Sequence, residues 1–235
     1  MMAPDHQRER EFQMFYRVIT VSAVLVLAMA GCRSTTTSTS VLQERADHAF
    51  WQTRFADASV DYRELVHRYP GNWKAQARLG ECLLDLQDYP AAREALQVAQ
   101  TLHPSDAALT DLMAEAIFMD NDRAALFVYL VQDADAQQTP YAYLRLAKYA
   151  GACDDPDTAR DANETAIRLD NDQTVEPYLS AAALETRLGN ETDAIVYLRR
   201  GYAVDPLDKR VQQRLRELGE IPGPTLAMPP DEPQS

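Results

Sequence analysis

Three prolines set the frame of this chain. Pro70 and Pro104 stand 34 residues apart, and Pro206 follows 102 residues later, three times that interval. Recurrence on this scale marks a stack of like units, each unable to bury its apolar face alone. The clearest unit runs from Trp73 to Asp106, WKAQARLGECLLDLQDYPAAREALQVAQTLHPSD. Leu79, Leu83, Leu96 and Leu102 recur in it at helical spacing. Gly80, Ala92 and Ala99 are small where two helix backbones would approach closely. Pro104 ends the second helix, because its ring removes an amide donor. Asn72, Asp106 and Asp208 each close a unit, placed so that a side-chain oxygen caps the helix that follows. Only 8 glycines in 235 residues also favour helix over sheet.

The set Leu79-Gly80, Tyr89, Ala92, Ala99 and Pro104 resembles the tetratricopeptide repeat, a 34-residue pair of antiparallel helices. The resemblance covers about 39–218. It implies an all-α fold, a right-handed superhelical solenoid of antiparallel helix pairs, with about five repeats and a C-terminal capping helix. The first repeat starts nominally at Thr39 and ends at Asn72; it carries Leu65 where a small residue is usual, as befits a terminal unit. The third spans about Ala107 to Thr139, with Ala114 and Ala125 at the close-approach positions and a polar ending, DADAQQT. It is one residue short. The fourth, Pro140 to Thr174, offers Leu146-Ala147, Ala159 and Ala166, with Asn163 where an aromatic is usual. The fifth, Val175 to Asp208, offers Ala182, Ala194 and Gly201. Lys209 to Leu218 puts Val211, Leu215 and Leu218 on one face, the profile of a capping helix. Five prolines in the fifteen residues after Glu220 predict a disordered tail over 219–235.

The amino-terminal end is of another kind. Val18 to Gly31 is an uncharged, mostly apolar run of 14 residues behind Arg17, shorter than the roughly 20 that a membrane span needs. That is the length of a signal-peptide core, with small residues at its end. Met29-Ala30-Gly31-Cys32 resembles the lipobox of bacterial lipoproteins, with Met29 where leucine is usual. The resemblance implies cleavage after residue 31 and acylation of Cys32, with residues 32–38 as a Ser/Thr-rich spacer. Two or more acyl chains make membrane attachment stable where one does not. Asp5, Glu9 and Glu11 spoil residues 1–13 as a basic leader, so Met14 is the better start. Arg33 is not the aspartate that resembles an inner-membrane retention signal, which favours the periplasmic side of the outer membrane.

The formal charge of −13 belongs wholly to the part after the leader, since residues 1–31 net zero. Such a surface repels nucleic acid and suits a neutral or basic partner. In tetratricopeptide repeats the first helix of each pair lines the concave face. The resemblance therefore implies a peptide groove at Phe50, Trp51, Glu81, Leu84, Asp85, Asp111, Glu115, Phe118, Tyr141, Leu144 and Lys148, with Met119, Leu179 and Arg187 beside them. A partner segment with apolar anchors and basic residues fits that mixture.

Motifs for chemistry are wanting. His48, His67 and His103 lack metal-ligand spacing, and no phosphate-binding glycine loop or nucleophile elbow occurs. Asp120-Asn121-Asp122, Asp154-Asp155-Pro156-Asp157 and Asp170-Asn171-Asp172 fall at inter-helix turns, where local turn and cap bonds explain them better than calcium does. Cys82 and Cys153 read as separate buried thiols. The expectation is a non-enzymatic scaffold without cofactor or metal, similar in layout to acylated repeat proteins of pilus biogenesis and acting in cell-envelope assembly. A regulatory partner of a cell-wall enzyme and a self-associating structural lipoprotein are the alternatives.

Overall fold

A computed structural model describes residues 38–104, 106–223 and 226. Cys32, the leader, the spacer up to residue 37 and most of the tail lie outside the described residues. The chain forms two compact units, Met1–Glu44 and Arg45–Ser235. Among the described residues it is all-α, with eleven helices: α1 Thr39–Trp51, α2 Phe55–Arg68, α3 Trp73–Asp85, α4 Tyr89–Leu102, α5 Ala107–Met119, α6 Arg123–Gln137, α7 Pro140–Ala152, α8 Pro156–Asp170, α9 Glu176–Arg187, α10 Glu191–Val204 and α11 Lys209–Glu217. Within the second unit, successive helices pack as antiparallel pairs, the solenoid arrangement the repeat implies. No helix among the described residues is long and apolar enough to cross a membrane.

Each helix begins and ends for a local reason. Asn72, Asp106 and Asp208 accept hydrogen bonds from backbone amides at the starts of α3, α5 and α11, as their spacing predicts. Asp88, Asp122, Thr139 and Asp155 do the same for α4, α6, α7 and α8. The turn inside every repeat uses one device. Thr53, Gln87, Asn121, Asp154 and Gly189 all have positive φ, between 56° and 80°. The next residue's amide then reaches back across the helix end: Arg54 to Ala49 O, Asp88 to Leu83 O, Asp122 to Ile117 O, Asp155 to Ala150 O and Asn190 to Glu185 O. These bonds satisfy carbonyls that the last turn would leave open. Asn121, Asp122, Asp154 and Asp155 thus serve turn and cap geometry, while Asp120 accepts a hydrogen bond from Arg93 at 2.8 Å.

Small residues let the helices close up. A Cβ on Gly80 would lie 2.6 Å from Leu96 Cγ, and one on Gly201 would lie 3.1 Å from Tyr178 Cβ. Ala58, Ala92, Ala159 and Ala194, each three residues into a second helix, are fully buried. In the third repeat that register falls on Leu126, also fully buried, while Ala125 is half-buried; the expected close approach at Ala125 is off by one residue. Leu65 is buried despite its bulk. Asn163, at the aromatic position, is buried as well, and its Oδ1 has no hydrogen-bond partner. The shortness of the third repeat lies in its final connection, where only Gln138 and Thr139 separate α6 from α7, and DADAQ is helical.

Ion pairs fasten neighbouring helices where alanine does not. The Arg45 guanidinium grips Asp61. Arg160 holds the buried Glu185 by two hydrogen bonds of 2.7 and 3.2 Å, and this keeps the Glu185 carboxyl below the usual range. At the C-terminal end Val211 and Leu215 of α11 are fully buried against α9 and α10, as a capping helix requires. Beyond α11, Glu220 pairs with Arg199 at 3.0 Å and Leu226 packs on the same apolar cluster.

Candidate interaction groove

Glu81, Leu84 and Asp85 are spaced to share one face of α3. Opposite them, Leu112, Glu115 and Met119 share one face of α5. With Gln87 and Tyr89 they line a cleft of about 400 Å³. Leu84, Leu112 and Met119 give it apolar lining, and Glu81, Asp85 and Glu115 give it three carboxylates. Arg78 donates to Glu81 at 2.6 Å, leaving Asp85 and Glu115 to set a net negative field. Glu81, Leu84, Asp85, Glu115 and Met119 are thus brought together as their repeat positions imply.

Arg78 extends the strip into the first repeat. Its guanidinium lies 4.5 Å from the centroid of Phe50 and 5.5 Å from that of Trp51, so one cation spans both rings and Glu81 of the cleft. Phe50 is half-buried on Phe55, at 5.6 Å between ring centroids, whereas Trp51 is 74% exposed. A large aromatic so bare on a helix end is the kind of surface that a partner covers.

The remaining predicted residues gather around Arg145 of α7, whose side chain is 2% exposed. Its Nε donates to Asp111 at 2.6 Å and its Nη1 to Asp133 at 2.6 Å. Tyr141 donates its hydroxyl to Asp111 at 3.0 Å, and its ring lies 5.1 Å from the guanidinium carbon. Phe118 packs on Tyr149, and Lys148 holds its ammonium 4.9 Å from the same ring. Burial, with Glu115 adding its charge, pushes the Tyr149 phenol up to about 12. Leu144 is half-buried in the same helix. The eleven predicted residues therefore fall into two clusters, one at α3–α5 with the end of α1, the other at α5–α7. None of the eleven is fully buried.

Arg78, Arg145, Gln87, Tyr89 and Leu112 belong to these clusters and were not expected there. Arg78 and Arg145 each stand five residues into a first helix, the one sequence signal that could have found them. Cys82 and Cys153 are buried free thiols, and burial pushes that of Cys82 up to about 12, far from a reactive thiolate. No group of three or more His, Cys, Asp or Glu side chains placed to hold a metal ion occurs among the described residues.

The tetratricopeptide-repeat family profile matches residues 44–107, the first two repeats and the cleft's α3 wall. Over those residues the chain is similar to tetratricopeptide repeats. No curated protein matches the chain significantly. Among solved structures, the chain is similar to the MamA protein at 18% identity and a TM-score of 0.54, over 76% of this chain and 94% of that one. MamA from Desulfovibrio magneticus RS-1 gives 12% identity and 0.54 over 73% and 97%. Yeast Tom70 gives 18% identity and 0.56 over 68% of this chain and 35% of Tom70. At these identities the likeness is one of fold.

Proposed function

We propose that this protein is a non-catalytic scaffold that holds a partner segment in the α3–α5 cleft while Cys32 tethers it to a bacterial envelope membrane. The observation that carries the first half is that apolar side chains and three carboxylates line that one cleft together. A helix or extended segment with apolar anchors and flanking lysine or arginine satisfies both features at once. Trp51 and Phe50, bridged to Glu81 by Arg78, extend the footprint by one repeat. The tether rests on the apolar run that ends at Met29-Ala30-Gly31-Cys32 and on the spacer after it. Position 33 is arginine and not the aspartate that resembles an inner-membrane retention signal, which favours the periplasmic face of the outer membrane, where a repeat scaffold serves assembly of a pilus, secretion or outer-membrane machine.

Two measurements test the halves separately. Partner capture from envelope extracts by wild type and by E81K/D85K/E115K tests the cleft: the proposal expects the basic partner to be lost from the variant, and equal capture would discard it. Mass spectrometry of the amino-terminal peptide tests the tether. Diacylated Cys32 at the mature end is expected, and a peptide running unbroken through Gly31 and Cys32 would contradict cleavage.

A further inference from the structure

One surface of this chain has the chemistry that the α3–α5 cleft asks of a partner. Helix α11 carries Lys209, Arg210, Arg214 and Arg216 against a single carboxylate, Glu217, on a chain whose net charge is −13. Val211 and Leu215 turn one side of the helix into the core, fully buried. Lys209, Gln213 and Arg216 fall on the opposite side, spaced by four and three residues, and all three are exposed. Arg210 pairs with Asp208 and Glu176, and Arg214 pairs with Glu217. Lys209 and Arg216 pair with no carboxylate among the described residues; Arg216 donates only to Gln212, at 3.1 Å.

Bare apolar side chains stand at both ends of this basic helix. Leu207, just before it, is 82% exposed, and Ile221, four residues after it, is 86% exposed. They are the two most exposed large apolar side chains among the described residues, and the third is Trp51, on the strip that extends the cleft. The cleft supplies the complement. Asp85 and Glu115 are exposed and join no ion pair among the described residues, and Leu84, Leu112 and Met119 line the cleft beside them. In its own copy α11 is fixed against α10, so the cleft that receives it belongs to another molecule.

We infer that the α3–α5 cleft of one copy receives α11 of a second copy, with Lys209 and Arg216 against Asp85 and Glu115 and with Leu207 or Ile221 on the apolar lining. The inference rests on the proposed use of the cleft and names its partner. The two surfaces differ, so each contact leaves a cleft open on one copy and an α11 free on the other, and copies add head to tail.

The test is a photo-reactive residue in place of Leu84 in the full chain, in cells, with adducts mapped by mass spectrometry. The expected adduct joins Leu84 of one copy to the 207–221 stretch of another, and repeated addition gives a ladder of larger products. In K209Q/R216Q the yield should fall about tenfold, the scale of two exposed ion pairs. L207S/I221S should lower it too, and an unchanged yield in either variant would refute the contact. Co-expression then isolates one contact. A chain with K209Q/R216Q and the probe at Leu84 keeps a working cleft, and a chain with D85N/E115Q keeps a working α11. Together they should form a pair that grows no further; failure to pair would overturn the inference. A Leu84 adduct to a different protein, or to a second copy outside 207–221, would overturn it while leaving the cleft a binding site. Absence of any adduct between molecules would remove both.

Discussion

Replacement of Gly80 by alanine puts two opposed effects on one methyl group. The helix gains about 1 kcal/mol, the difference between glycine and alanine in a helix interior. Against this, the new Cβ lies 2.6 Å from Leu96 Cγ and 2.8 Å from Cδ2, where carbon atoms prefer about 3.5–4.0 Å. Leu96 is fully buried and is struck at its branch point, not at a free end, so the strain falls on the α3–α4 contact. Overpacking of this kind costs about 1–3 kcal/mol. With a shortfall near 1 Å the upper part of that range applies, and G80A should lose about 1–2 kcal/mol net. Leu96→Ala should cost about 2–5 kcal/mol by itself. In that background the clash is gone, and G80A should become stabilising by up to about 1 kcal/mol. The assay is urea unfolding followed by far-UV circular dichroism for the four proteins of the cycle. A G80A effect of the same sign and size in both backgrounds would refute the claim that Gly80 exists to admit Leu96.

Two further perturbations probe the turn and the ion pairs. Gln87 holds φ 61° in a turn whose counterpart in the fifth repeat is Gly189; Q87G should stabilise by about 0.5 kcal/mol, the relief of a left-handed conformation less the extra chain entropy of glycine, and a lower urea midpoint would contradict it. Glu185, held below the usual carboxyl range by Arg160, stabilises the fold above its unfolded pKa, near 4.3, and loses that contribution as pH falls through its folded value. R160M should therefore lie furthest below wild type at neutral pH and approach it in acid; a pH-independent gap in urea midpoints would reject this linkage.

The repeat frame was legible because it rests on covalent and steric facts that one residue carries. Pro104 cannot continue a helix past its first turn, and Gly80 or Ala92 betrays a close approach without its neighbour being known. The caps at Asn72, Asp106 and Asp208 were readable for the same reason. Features that depend on two distant residues were not. Arg145 joins Asp111, 34 residues away, to Asp133, and neither pairing leaves a mark in local sequence. The third repeat misled at Ala125 because the buried position, 34 residues after Ala92, is filled by Leu126 where the other four repeats have alanine. The left-handed turn residue was hidden by its variety: threonine, glutamine, asparagine, aspartate and glycine fill one geometric role. Of the predicted groove residues, Glu81, Leu84 and Asp85 share one face by helical spacing, and Glu115 joins them only through the repeat register that the resemblance implies. That Arg78 ties them to Phe50 and Trp51 needed three dimensions.

The scaffold reading turns on what touches the α3–α5 cleft in the cell. A photo-reactive residue placed at Leu84, in the cleft lining, or at Val60, which is 62% exposed on α2, separates the alternatives in one experiment. The account predicts a discrete protein adduct from Leu84 that disappears in E81K/D85K/E115K, with none from Val60. An adduct from Val60 alone, or one from Leu84 that the charge reversal leaves intact, would contradict it.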